Sequence, residues 1–293
     1  MDEKGLLQIK IYTKKFSRTL RRESIISIII GIVITFIVMM VTKKNMFETF
    51  EGTKSGLFSL ICVCIWIGIF NSIQLVCREK NDIVKDELDK SLKATSYMAA
   101  HFIYQVILCA IQSVIVFAIF MIYVGGKQYF DGSPIAYLLT IFLIMVASDA
   151  MSFVLSSAVP NPIVAMTFMP LLLLIQLVMA GVLFELEDGS VSAMIANFTV
   201  SKWGMTAFGK IGDICSIPSV MAQKKFEVEI GGVTQAVDKI EPDGGWISQA
   251  DLSKYGVNAA EPVVCWLIFI AFIVAFFIFS VWALKATTKK IKK

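Results

Sequence analysis

Six long apolar runs leave this chain little choice of solvent. They occupy residues 24–42, 55–76, 96–124, 134–159, 162–184 and 262–284. A helix needs about 20 mostly apolar residues to cross the hydrocarbon core of a bilayer. Unpaired backbone in lipid is costly, so each run is expected to be a helix. The alternating pattern of a membrane barrel is absent. Composition points the same way. The chain is 57% hydrophobic and 17% charged, against about 25% charged for a soluble domain. The expected fold class is an all-α membrane protein with six transmembrane helices. The first run is too long for a signal-peptide core and lacks a small-residue cleavage site, so it reads as a retained anchor.

Lysine and arginine set the orientation. Residues 1–24 carry seven of them, the link 78–95 carries five and the tail 285–293 five. Loops on the other side carry three (43–54) and one (125–133), and long translocated segments such as 185–261 weigh little in this rule. Lys43 and Lys44 are a mild dissent. Both termini are thus expected in the cytoplasm, with the protein in the cell membrane. Basic flanks of this kind serve topology and contact with anionic lipid heads; they do not indicate nucleic acid as a partner. The expected division is an interfacial segment 1–23, spans one to five within 24–184, an external segment 185–261, a sixth span 262–284 and a basic tail 285–293.

The polar parts carry further pattern. Ile9, Tyr12, Phe16 and Leu20 recur at helical spacing opposite Lys10, Lys14, Arg18 and Arg21, as in an amphipathic helix lying on the membrane surface. The link after the second run reads REKNDIVKDELDKSLKAT, and within it Val84, Leu88 and Leu92 share a face with Ile83 beside them. A helix over 79–92 has too small an apolar stripe for its own core, so it should dock on something; the plainer alternative is a solvated loop. In the external segment, 226–230 and 233–237 flank Gly231 and Gly232, a β-hairpin signal because paired glycines supply the positive φ of the turn. Residues 191–208 are apolar but too short and broken to span, which suggests a re-entrant or interfacial helix.

Catalytic and metal patterns are lacking. Cys62, Cys64, Cys77 and Cys109 lie in or beside apolar runs, where cysteine is a small filler. Only Cys215 and Cys265 would meet the outside, and no pattern pairs them. The single histidine, His101, has no second imidazole to share a metal with. Asp149 is the one acid deep within a span; intramembrane acids default to functional hypotheses, with capping at a wet interface as the alternative.

The order of these pieces resembles a known family: the permease subunit of ABC exporters of the second membrane class, in the subfamily-G-like branch with the type-V exporter fold. The resemblance rests on the order of interfacial helix, two spans, charged link, three spans, external segment and last span. It rests also on Glu79-Lys80, Ile83, Asp86-Glu87 and Ser96-Tyr97 in and after the link. Further along, Leu155-Ser156-Ser157-Ala158 and Pro160-Asn161 run through the turn from span four to span five, Ala165-Met166 follow, and Ser201-Lys202-Trp203 come after span five. Ser91 and His101 depart from the Gly and Lys usual at their positions, and the Pro usual before the Trp is missing.

The resemblance implies a coupling helix that sits in a groove of a separate ATPase, with Glu79, Ile83, Val84, Asp86, Glu87 and Leu88 in that role. It implies a substrate path between spans two and five of facing protomers. Trp66, Ile67, Phe70, Asn71 and Gln74 would line it from one side; Met169, Leu173, Gln176 and Met179 would line it from the other. Met and aromatic surfaces adapt to varied apolar ligands, although lipid-facing packing is the plainer reading of any one of them. No GxxxxGK[ST] occurs: Gly126-Lys127 and Gly209-Lys210 are followed by Gln128 and Ile211. ATP and Mg²⁺ would therefore bind the partner, this chain needing no cofactor. Half the usual span count implies a second permease copy or a sister permease. The expected function is an ATP-driven exporter permease for a hydrophobic or amphipathic substrate, not an enzyme. The competing readings are a non-transporting sensor or scaffold whose external segment binds a ligand and, more weakly, an intramembrane enzyme.

Overall fold

The structure, a computed structural model, describes residues 13, 21–42, 46–88, 94–126, 130, 132–184, 190–217, 220–230, 233–243, 251, 254–256 and 259–291. The expected interfacial helix before residue 21 and the Gly231-Gly232 turn therefore lie outside the described residues, apart from Thr13. The helices in chain order are α1 (Arg21–Thr42), α2 (Phe50–Ser72), α3 (Leu75–Leu88), α4 (Ala94–Val124), α5 (Pro134–Ala158), α6 (Pro162–Val178), α7 (Val191–Ala196), α8 (Val200–Ile211) and α9 (Pro262–Ile291). Residues Val220–Ile230 (β1) and Val233–Asp243 (β2) pair antiparallel, with Phe226 opposite Val237 and Ile230 opposite Val233. The paired stretch is wider than the ranges read from the sequence.

Local chemistry explains the helix starts. Thr49 caps α2 by accepting from the Gly52 N–H at 3.2 Å. Asn161 caps α6 through the Val164 N–H at 3.0 Å. Proline follows at the first turn of α5 and of α6, where its missing N–H would have no partner in any case.

Five helices are long and apolar enough to cross a bilayer among the described residues: those beginning at Glu23, Phe50, Thr95, Pro134 and Pro262. The expected fifth span, 162–184, is realised differently. Its helix α6 stops at Val178 after 17 residues, about 26 Å at 1.5 Å per residue against a hydrocarbon core of about 30 Å. The chain turns there through Gly181 at φ +73°, a conformation that glycine adopts without a Cβ penalty. The physical gain is a hydrogen-bonded return. The Ser201 N–H donates to Gln176 Oε1 at 3.1 Å, and the Ser201 hydroxyl donates to the Gln176 carbonyl at 2.5 Å.

α5 is the axis of the fold. It packs against α2, α4, α8 and α9 and is buried along most of its length. At Gly68 the α2–α5 contact is tight: a Cβ would fall 2.5 Å from the Met145 carbonyl oxygen, so only glycine fits. α1 and α9 lie at the periphery, with Ile29, Phe36, Ile37, Leu267, Ile278 and Phe279 exposed, as helices facing lipid require. α8, too short to span, packs among α2, α5 and α9. Its Phe208 ring stacks on Tyr137 with centroids 5.6 Å apart.

Candidate functional site

The region following the second span is built by a repeat of four on two facing helices. Gly68, Ser72, Val76 and Lys80 follow one another along α2 and α3; Ser148, Ser152 and Ser156 follow one another along α5. Four-residue spacing keeps each set on one helical face. Ser72 hydrogen-bonds to the Ser152 hydroxyl and also donates to the Asp149 carbonyl at 3.0 Å. One step further, the backbone N–H groups of Val76 and Cys77 donate to Ser156 Oγ at 3.1 and 3.3 Å. Ser156 thereby pairs buried N–H groups in the first turn of α3, at its break from α2.

Lys80 ends the ladder. It is 2% exposed. Its ammonium donates to the carbonyls of Ser157 and Val159, each at 2.8 Å. These carbonyls belong to the end of α5, where a helix has unpaired acceptors and the negative end of its dipole. Thr287 of α9 donates to the same Ser157 carbonyl at 2.9 Å. One buried cation thus ties α3 to the end of α5, with α9 joined at the same point.

Beside it, Tyr97 Oη donates to Glu79 Oε2 at 2.5 Å, and His101 Nε2 lies 3.4 Å from that oxygen. Ile83 is 1% exposed, packed with Val76, Met98, Phe153 and Leu284. Glu79 and Ile83, expected to face a partner, are therefore engaged inside the chain. The side chains of Val84, Asp86, Glu87 and Leu88 lie outside the described residues, although the helix that carries them continues to Leu88. Residues 89–92, the rest of the expected helix, lie outside the described residues as well.

The expected path residues separate into three groups. Asn71 and Gln74 line a cleft of about 250 Å³ between α1, the α2–α3 corner and α4. Phe70 lies at the same cleft and stacks on Trp66 with centroids 6.3 Å apart. Asn71 is held there by Ser27, which donates to its Oδ1 at 2.6 Å, and by Gln112, whose Oε1 accepts from it at 2.7 Å. Ile67 is buried and touches Gly31 of α1, and Met169 is buried in the main core. Leu173 packs on that core from its edge. Gln176 anchors α8, and Met179 is the C-cap of α6. No single surface of the chain gathers all nine residues.

Asp149 is fully buried at the α2–α5 contact. Its carboxyl stands beside Ser72, whose hydroxyl is engaged with the Asp149 carbonyl and Ser152 instead. Both carboxyl oxygens lack a hydrogen-bond partner among the described residues.

At the opposite end Lys54 pairs with Asp251 at 2.9 Å, both nearly buried, and Lys210 pairs with Glu261 at 3.5 Å. Burial pushes the Tyr255 phenol up, with Asp251 adding to the effect. Cys215 and Cys265 are free thiols. No group of three or more His, Cys, Asp or Glu side chains suited to a metal occurs among the described residues.

Several of these residues escaped the sequence reading. Ser27, Gln105 and Gln112 carry no motif, and amides scattered in apolar runs show no face until the helices are packed. Lys80 did have a signal: with Val76 and Ile83 it occupies one face of a helix, which marks it as inward.

No curated protein matches the chain. The ABC-2 type transporter family matches residues 7–211, more than half of the chain and ending at the last residue of α8. A multi-pass apolar helical chain carrying that match belongs to the ABC-2 type transporter family, as the membrane permease component of an ABC transporter.

Proposed function

We propose that the chain is the permease half of an ATP-driven exporter of the subfamily-G-like, type-V class, moving a hydrophobic or amphipathic substrate outward across the cell membrane. One observation carries the reading: family membership over residues 7–211 joined to a sequence without GxxxxGK[ST]. Energy then comes from a separate ATPase that binds ATP and Mg²⁺. Two permeases, identical or sister chains, make the conduit. α6 serves as a short fifth crossing completed by the α8 return, and both termini lie in the cytoplasm. The β1–β2 ribbon belongs to the external segment.

In this reading α3 is the coupling helix. Val76, Lys80 and Ile83 bind it to the membrane part. Val84 and Leu88, four residues apart in the sequence, are the residues assigned to the partner contact. A push on α3 reaches α5 through Lys80 and Ser156, and reaches α9 through Thr287. Bistable packed elements of this kind turn small shifts into discrete rearrangements.

The test is a Val84→Asp, Leu88→Asp double variant. Two aliphatic side chains seated in a groove contribute about 1.5–3 kcal/mol each, and carboxylates there would lose hydration. Copurification of the ATPase from the native host should be lost while membrane insertion is kept. A variant that still binds ATPase and supports transport would sink the coupling role. Copurification of no ATPase with the parent chain would favour the sensor reading.

A further inference from the structure

The cleft beside Asn71 has the make-up of a headgroup site. Its mouth carries one acid and one base: Glu23 Oε1 lies 3.1 Å from Arg78 Nη1, with the side chains 59% and 50% exposed. Behind them the wall is polar. Ser24 and Tyr104 share a hydrogen bond of 2.6 Å, and Gln105 Nε2 donates to the Asn71 carbonyl at 2.8 Å. Gln105 is 1% exposed, and its Oε1 has no hydrogen-bond partner among the described residues. A buried amide oxygen without a donor is unfavourable, and it can be satisfied only by an N–H or O–H.

The flank is apolar and open. Ile26 is 48% exposed and Ile30 41%, both at the rim of the cleft. The volume of about 250 Å³ falls below the roughly 300–1,000 Å³ that encloses a whole drug-sized ligand. It suits a polar head whose apolar remainder stays outside along α1.

We infer that this cleft binds the phosphoethanolamine headgroup of a membrane lipid. Arg78 takes the phosphate, for which a guanidinium fork is well matched. The primary ammonium replaces Arg78 beside Glu23 and donates to its carboxylate. The acyl chains lie along Ile26 and Ile30. A purely anionic head would meet Glu23 unfavourably. A quaternary ammonium has no N–H to donate to Glu23. That the bound lipid is cargo rests on the permease reading; that it binds does not.

The experiment uses the purified full chain in detergent, titrated with short-chain phosphatidylethanolamine, phosphatidylcholine and phosphatidylglycerol of one acyl length and followed by native mass spectrometry. Phosphatidylethanolamine should bind about tenfold more tightly than either of the others, a difference worth about 1.4 kcal/mol. Glu23→Gln should erase that preference, and Arg78→Gln should weaken all three lipids. Both side chains are half exposed, so both variants fold. Cys215→Ser, remote from the cleft, should behave as the parent. Equal binding of the three lipids, no binding, a preference for phosphatidylglycerol, or a preference that survives Glu23→Gln would each overturn the site. Preferential binding in a chain that recruits no ATPase would leave the site standing and remove the exporter reading alone.

Discussion

The two ends of the α2–α5 pair are joined by different chemistry. Toward α3 the contact is a ladder of hydroxyls and one buried ammonium, from Ser72 and Ser152 to Lys80 at the end of α5. Toward the start of α5, around Tyr137, a cluster of rings from α4, α8 and the flanking loops takes over. Phe47 meets Phe130 at 5.1 Å, Phe120 meets Tyr137 at 5.4 Å, and Tyr137 meets Phe208 of α8 at 5.6 Å. Hydrogen bonds are directional, so the first end has a defined register that ties α3 to α5. Ring packing at the second end is set by volume and by edge-to-face or offset preference rather than by fixed donor–acceptor pairs. A machine driven from one side and opened at the other would be divided in this manner.

The largest effect is expected at the ring cluster. Phe208 is fully buried, and its truncation to Ala should cost about 3–5 kcal/mol through lost transfer energy and a cavity. A thermal melt in detergent should fall by several degrees, with faster proteolysis around α8. Recovery of the ATPase partner should be unchanged. Loss of the partner would show that the two ends are not separable.

Lys80→Met sharpens the other side. It removes two hydrogen bonds from a charged donor, each worth about 1.5–3 kcal/mol, and it leaves the Val159 carbonyl unpaired. Met keeps the unbranched aliphatic shape of the stem, so the expected loss is near the lower end for two such bonds, about 3 kcal/mol. Here ATPase recovery or ATPase-coupled transport should drop more than stability does. A variant that melts early but couples normally would reduce Lys80 to a helix cap.

The smallest effect concerns Cys215, a partly exposed free thiol just after α8. Burial raises its pKa above the ordinary value of 9.0, and Asp213 and Asp251 add to the rise. The thiolate is the reactive form. Labelling by an impermeant maleimide should therefore be slower than for a free peptide thiol and should keep rising above pH 9.0. It should come from the outer face of intact cells. Protection from external reagent, with labelling only after permeabilisation, would invert the proposed orientation and the comparison with it.

Much of the fold was legible because membrane insertion is read from composition over about 20 residues at a time. The starts of α5, α6 and α9 fall on the prolines that open the apolar runs at 134, 162 and 262. The break after the second span was also visible, since a stretch dense in both charges does not remain in lipid. Other features depended on which faces meet. Nothing in residues 162–184 announces a stop at Val178, because the stop is stabilised by Ser201 reaching back to Gln176. Ile83 and Glu79 read as partner-facing because the residues they meet, Tyr97, Phe153 and Leu284, belong to other helices.

The sequence by itself determined the solvent, the helical class, the number of apolar runs and the absence of a nucleotide-binding loop. These follow from local composition, which needs no partner to be expressed. Tertiary structure decided the length of α6, the insertion of α8 beside α5, the burial of Lys80 and the cleft behind Glu23 and Arg78. Each of these depends on hydrogen bonds or contacts between residues distant in the chain. A polar side chain in an apolar run has the same local signature whether it faces a cleft, caps a neighbouring helix or lines a path, and only packing separates the three.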